Sequence, residues 1–357
     1  MRIAIRVDAS KQIGTGHFMR CLTLAEALKQ RGAQIRFISR HLPAHLRDML
    51  NAKGHEFAPL SSIAGEVTAD GISHAHWLGV SQAQDAADTR QALSDQTWDW
   101  LIVDHYALDA RWETGLRNIA GKILIIDDIA DRQHDCDVLL DQNFYEDMQT
   151  RYIGKVPAHC RLLLGPRYAL LREEFRRLRE QVKPRAGSVK RILLFFGGVD
   201  ADNYTGRALE VLVNIGLAAL QVEVVIGAQH PYREEIETIC AAHDFICYVQ
   251  TSRMAELMAA ADLAIGAGGS AIWERCCLGL PALIVSLADN QIDIAKGLDM
   301  FGACRYIGSL ASASASVMHN AIVDLLNHQD LVGKLSEKSY SLVDGLGVDR
   351  LCQELGC

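Results

Sequence analysis

The chain alternates short apolar runs with amphipathic stretches along most of its length. In the first half the apolar runs fall at residues 2–7, 35–39, 100–103, 122–126 and 138–141. They are short and rich in Ile, Leu and Val, as strands buried on both faces are. Between them, stretches such as 44–53 and 85–94 repeat apolar positions at helical spacing, as do Leu22, Ala25 and Leu28. Strand and helix in alternation predict a parallel sheet covered by helices on both faces. The rhythm changes between 162 and 188, with a charged helix over 171–182 and a linker at Lys183-Pro184-Arg185-Ala186-Gly187-Ser188. It restarts with strands at 191–196, 222–226, 246–249, 261–265 and 283–286. The run of Ser and Ala at 309–316 reads as a loop and helix start, and the tail from 331 is helical with a break at Gly345-x-Gly347. The expectation is two doubly wound α/β domains in tandem, residues 1–165 and 188–357. A linker helix at 166–187 joins them, and the last helix is able to return to the first domain.

Polar residues cluster where such strands end, the place where open α/β sheets hold their ligands. Asp104-His105-Tyr106, Asp127-Asp128 and Asp141-Gln142-Asn143 all follow apolar runs. The stretch from Asp8 to Cys21 joins a strand to a helix through Gly14-x-Gly16 and places His17 where turn meets helix. It is not a dinucleotide fingerprint, because the third glycine position is Met19 and the next strand ends at Arg40 instead of an acid. It is not a P-loop either, since no Gly-Lys-Ser/Thr follows. His17 is the candidate general base, although a polar helix-start residue satisfied by backbone would look the same. Asp8 could orient it, bind a ligand, or serve the turn; Arg20, one helical turn on, could tie the loop down. The second half carries Gly197-Gly198 and Gly266 to Ser270. Ser270 suits a phosphate at a helix start, and Glu274, one turn along, suits the two hydroxyls of a ribose; capping would also explain both. Asn290 and Gln291 would sit at another helix start. Helix N-termini from both domains facing one cleft suggest a diphosphate.

Composition narrows the classes. The 357 residues carry a formal net charge of −8, which argues against nucleic acid or an anionic membrane surface as partner. Ten cysteines include no C-x-x-C pair, and the chain opens directly on a strand without a signal peptide, so reduced thiols and a cytoplasmic location are expected. The most apolar stretch, 211–228, is interrupted by Asn214, Gln221 and Glu223 and predicts no membrane span. His74 and His76 lack a third ligand at metal-site spacing. Asp135-x-Asp137 and Asp200-x-Asp202 have a spacing that arises easily by chance, and Asp202 or Asn203 is better placed to cap a helix beginning at Tyr204. No metal and no cofactor are expected. Residues 61–76 match no motif.

Taken together, Gly268-Gly269-Ser270, Glu274, Gly279-x-Pro281 and Asn290-Gln291 resemble the nucleotide-binding half of GT-B enzymes, most broadly the MurG-like UDP-GlcNAc transferases. The motifs Arg6-Val7-Asp8-Ala9-Ser10, Ile13-Gly14-Thr15-Gly16-His17, Met19-Arg20-Cys21, Trp77-Leu78-Gly79, Val103-Asp104-His105-Tyr106, Ile126-Asp127-Asp128 with Arg132, Asp141-Gln142-Asn143 and Gly165 to Arg172 resemble the PseG family. That resemblance implies a GT-B-like fold of two Rossmann-like domains with the active site in the interdomain cleft. It implies hydrolysis of UDP-2,4-diacetamido-2,4,6-trideoxy-β-L-altropyranose to UDP and the free diacetamido sugar, a step of pseudaminic acid biosynthesis. Water would attack the anomeric carbon with inversion. A nucleoside diphosphate leaves with charge stabilisation more than with a proton, and helix N-termini at Gly197-Gly198 and Gly269-Ser270 could supply it. One base then suffices, and a histidine is suited to that near neutral pH. Asp8, Gly14, Gly16, Arg20, Asp104, Tyr106 and Asn143 fall on the sugar side, with Tyr106 the foremost candidate for holding water or a sugar oxygen. Gly197, Gly198, Gly268, Gly269, Ser270, Glu274, Asn290 and Gln291 fall on the UDP side. A monomer is expected. The alternatives are a MurG-like UDP-sugar transferase, an epimerase on the same fold, and a non-catalytic UDP-sugar-binding protein; the last would have no use for His17.

Overall fold

A computed structural model of the chain describes residues 1–10, 12–61, 71–216 and 220–357. Most of the unassigned stretch at 61–76 therefore lies outside the described residues. The chain divides into two units. One comprises Met1–Asn143, Asp147–Leu170 and Gly347–Cys357; the other comprises Phe144–Glu146 and Leu171–Leu346.

The first unit holds β1 (Arg2–Val7), α1 (Gly16–Gln30), β2 (Gln34–Ser39), α2 (Ala44–Ala52), β3 (Glu56–Pro59), α3 (Gln82–Ala92), β4 (Trp98–Asp104), α4 (Ala110–Leu116), β5 (Ala120–Ile126), β6 (Val138–Asp141) and β7 (Arg161–Leu164). The seven strands pair in parallel in the order β3-β2-β1-β4-β5-β6-β7. Their side chains alternate between two cores. Ile3, Ile5 and Val7 face one core with Phe18, Leu24 and Leu28 of α1. Ala4, Leu101 and Val103 face the other with Trp112 of α4. The sequence pattern did not reveal β3 and β7. Both are four-residue edge strands with mostly exposed or half-exposed positions, too short to stand out from the sequence.

The second unit holds α5 (Glu173–Arg179), β8 (Arg191–Phe195), α6 (Tyr204–Ile215), β9 (Gln221–Ile226), α7 (Arg233–Ala242), β10 (Ile246–Val249), α8 (Met254–Ala260), β11 (Leu263–Ala267), α9 (Ala271–Cys277), β12 (Ala282–Ser286), α10 (Ile292–Phe301), β13 (Arg305–Ser309), α11 (Ala315–Asn327) and α12 (Gln329–Leu342). Its sheet is also parallel, ordered β10-β9-β8-β11-β12-β13, around a core that includes Leu194, Val224 and Ile265. The chain closes with α13 (Gly347–Leu355), which belongs to the first unit. There the Trp100 indole N–H donates to the Leu355 carbonyl at 3.1 Å. Gly347 packs so tightly that a Cβ would lie 2.3 Å from the Ala169 carbonyl oxygen.

In each sheet the strand order reverses once, between β1 and β4 in the first and between β8 and β11 in the second. Successive crossovers run away from that point in opposite directions and leave a crevice at the carboxyl ends of the two central strands. The turn carrying His17 follows β1, Asp104-His105-Tyr106 lies at the end of β4, and the glycine turns of the second unit follow β8 and β11.

Candidate active site

At the first crevice the chain leaves β1 through a turn closed by Gly14, whose N–H donates to the Ser10 carbonyl at 2.8 Å with φ at +77°. Gly16 then opens α1, and His17 and Arg20 stand one turn apart on it. Opposite them β4 ends at Asp104, which is 1% exposed. His17 Nδ1 lies 2.6 Å from Asp104 Oδ1. Arg20 grips the same carboxylate with Nε at 2.6 Å and Nη2 at 2.7 Å, and its Nη1 donates to Asp128 Oδ2 at 2.9 Å. Burial opposes the charge on Asp104, but Arg20 and then His17 outweigh it and hold the carboxyl well below its usual range. The proton of the His17–Asp104 contact therefore sits on Nδ1. A neutral ring then carries its lone pair on Nε2, which has no hydrogen-bond partner among the described residues. Asp104 thus fixes both tautomer and ring orientation, while Arg20 satisfies its other oxygen.

Tyr106 completes the cluster. Its ring meets His17 edge-on at 4.7 Å and stacks on Trp77 at 5.5 Å. Its hydroxyl donates to Asp128 Oδ1. Burial and the Asp128 charge push the phenol well above its ordinary range, so it stays a neutral donor. His74 lies edge-on to both Trp77 and Tyr106, at 4.6 Å and 5.2 Å. Tyr106 is buried under this aromatic cluster, while Trp77 and His74 are half-exposed.

Asp8, considered for orienting His17, does something else. Its carboxylate accepts from Arg6 at 2.6 Å and 3.0 Å and from the backbone N–H of Arg40 at 2.8 Å, and His105 Nε2 lies 3.2 Å away. Residues 6 and 8 share a strand face, so the acid turns down onto Arg6 and into the interior. Asn143 is buried, and its backbone N–H donates to Asp141 Oδ1 at 2.9 Å. From the sequence Asp127-Asp128 reads as a polar strand end and, with Arg132, as part of the PseG resemblance; the fold makes Asp128 the link between Arg20 and Tyr106. Its position after β5, the strand beside β4, was the available signal.

At the second crevice Gly197 has φ at +108° after β8, and a Cβ on Gly227 would lie 2.1 Å from the Gly198 carbonyl oxygen. Gly197-Gly198 do not sit at a helix N-terminus, as the sequence suggested. Helix α6 begins at Tyr204, and its first N–H groups are already taken: Asp200 accepts from Tyr204 N at 3.0 Å and Thr205 N at 2.7 Å, and Asn203 caps Gly206 N at 3.0 Å. Ser270 precedes α9 in helical geometry and makes no capping bond. Glu274 is half-buried with Arg172 Nη2 at 3.4 Å; burial raises its carboxyl although Arg172 opposes the shift. Asn290 is exposed, whereas Gln291 Oε1 accepts from Leu287 N at 3.0 Å and packs against Gly268 and Gly269. Asp135 and Asp137 are both held by Arg117, at 2.8 Å and 2.5 Å. Among the described residues no group of three or more His, Cys, Asp or Glu side chains could hold a metal ion, and no helix is long and apolar enough to cross a membrane.

Two parallel α/β units of this kind define a GT-B fold, and residues 192–339 match the Glycosyltransferase family 28 C-terminal domain. Among solved structures the chain is similar to MurG of Acinetobacter baumannii, with a TM-score of 0.68 at 15% identity over 99% of each chain. Among curated proteins it is similar to the UDP-2,4-diacetamido-2,4,6-trideoxy-β-L-altropyranose hydrolase of Campylobacter jejuni, 23% identical over 84% of this chain and 96% of that protein. This is the resemblance that the PseG motifs carry. It is also 24% identical to an uncharacterized protein of Methanocaldococcus jannaschii over 82% of this chain, and spans 56% of that protein's length.

Proposed function

We propose that the chain is a UDP-sugar hydrolase that cleaves the bond between the anomeric carbon and the nucleotide, with the diacetamido trideoxy sugar of the Campylobacter relative as its substrate. The observation that carries this reading is the His17 imidazole, held through Nδ1 by an ionised, arginine-paired Asp104 with Nε2 unspent at the β1/β4 crevice. A base so oriented can take a proton from water as it attacks the sugar. Arg20 and Asp128 keep the carboxylate and the Tyr106 phenol in place, and Trp77, half-exposed and stacked on the buried Tyr106, offers the sugar a flat ring. The second unit is assigned the nucleotide: its glycine turns take the phosphates and Glu274 the ribose. With a diphosphate leaving, no second carboxylate is needed to protonate the departing oxygen.

The family 28 match and the likeness to MurG favour a second reading, transfer of the sugar to an acceptor. One experiment separates the two. The purified protein is given the UDP-sugar in water enriched in heavy oxygen, beside His17→Ala, and the products are followed by NMR. Label at the sugar C1, unlabelled UDP, and a slow variant that still binds UDP are expected. Label in the phosphate would move the attack to phosphorus. Absence of turnover by folded, UDP-binding protein until an acceptor is added would establish the transferase reading instead.

A further inference from the structure

Arg275 was not among the residues the sequence singled out. It lies on α9 with Ile272, Trp273, Cys276 and Cys277, all buried, and is itself 2% exposed. Its guanidinium turns back to the end of β11. Nη2 donates to the Ala267 carbonyl, and Nη1 lies 2.7 Å from where a Cβ on Gly266 would stand. Among the described residues no carboxylate comes within ion-pair distance, and Nε has no hydrogen-bond partner. Burial pushes this guanidinium down to about 10, against the opposing Cys276, Cys304 and Glu274. A desolvated cation without a counter-ion is costly, and buried charges are ordinarily paired.

The turn it supports is complementary. With the Ala267 carbonyl held by Arg275, the Gly268 N–H donates to the Val285 carbonyl at 3.0 Å, so this peptide plane is fixed at both ends. Gln291 packs on the turn from the other side, its Nε2 3.7 Å from where a Cβ on Gly269 would stand. The next two N–H groups, of Gly269 and Ser270, donate to nothing among the described residues. A fixed glycine turn with two unspent donors, backed by a buried cation lacking a counter-ion, suits a group of high negative charge.

We propose that Arg275 is a positioning residue for a nucleoside diphosphate: it fixes the Gly266–Ser270 turn and supplies buried positive charge that the diphosphate neutralises on binding. This rests on the reading of the second unit as the nucleotide-binding one. The test is calorimetric binding of UDP and of uridine to wild type, Arg275→Gln and Arg275→Lys. Arg275→Gln should bind UDP at least about tenfold more weakly while uridine changes less than about twofold, and Arg275→Lys should recover part of the loss. UDP and uridine weakening together, or neither weakening, would overturn the proposal. Wild type binding no UDP would instead overturn the nucleotide reading on which it rests. Should Arg275→Gln fail to fold, the Arg275 Nε–H resonance of wild type, identified by its loss in Arg275→Lys, serves the same end. It should shift with UDP and not with uridine; a resonance unmoved at saturating UDP would refute the proposal.

Discussion

Replacing Asp104 by Asn is the sharpest perturbation of the first crevice. The side chain keeps its size, so packing at this buried position is retained, but its charge and half of its accepting capacity go. Asp104 accepts from His17 at 2.6 Å and from Arg20 at 2.6 Å and 2.7 Å. His17 Nδ1 and Arg20 Nη2 share Oδ1 while Arg20 Nε takes Oδ2, so either amide orientation sets the NH2 against an Arg20 N–H, and one of the two also sets it against His17 Nδ1. Facing Nδ1, it donates, and the ring proton moves to Nε2, the nitrogen required as base. Loss of an oriented base costs about 10²- to 10⁴-fold, or about 3–5 kcal/mol of transition-state stabilisation. The same change deprives buried Arg20 of one of its two carboxylates. Breaking a buried pair costs up to about 3–5 kcal/mol, and the remaining contact with Asp128 should keep the loss at the lower end. The assay is steady-state UDP release, with the urea midpoint of the same preparation as control. The expected result is a fall in kcat of at least about 10²-fold with a smaller change in KM. A folded variant with kcat within about threefold of wild type would refute the role given to Asp104.

Three further outcomes follow from other residues. Asp141 is buried at the end of β6, and burial together with the charges of Asp128 and Asp127 pushes its carboxyl up to about 8, against the opposing Asn143 N–H and Arg151. The native state therefore holds a proton that the unfolded chain releases near pH 4, and the contribution of Asp141 to stability should fall as pH rises from about 4 through about 8. Asp141→Asn, which keeps the hydrogen-bonding shape of the protonated acid, should gain stability relative to wild type between about pH 5 and about pH 9; parallel urea midpoints across that range would contradict the assignment. At the second crevice, a Cβ on Gly227 meets the Gly198 carbonyl at 2.1 Å, so Gly227→Ala should cost about 1–3 kcal/mol and weaken UDP binding. Gly16→Ala meets nothing within 4 Å and should leave the melting temperature unchanged or slightly raised; calorimetric melting curves that place the two variants together would contradict this reading of the turn.

The alternation of apolar runs with helical periodicity determines that the chain forms parallel strands wrapped by helices, because burial on both sheet faces demands continuous apolar strands. It also sets the restart near β8. Gly14 and Gly197 were legible as punctuation, since a turn requiring positive φ leaves glycine in the sequence. The edge strands β3, β7 and β13 were hidden because they are short and mostly half-exposed. Partnerships were not legible at all. Asp8 and Asp104 both stand at strand ends, yet only Asp104 meets His17, because strand phase turns Asp8 onto Arg6 and sheet order brings β4 beside β1. From the sequence the glycines after β8 read as a helix start, but Asp200 and Asn203 spend the first N–H groups of α6. Arg275 reads as one charge in an apolar helix, and only the crossover to β11 brings it under the glycine turn. Local sequence carries periodicity and turn chemistry over a few residues; which charges meet across gaps such as the 87 residues between His17 and Asp104 is decided by strand order and register.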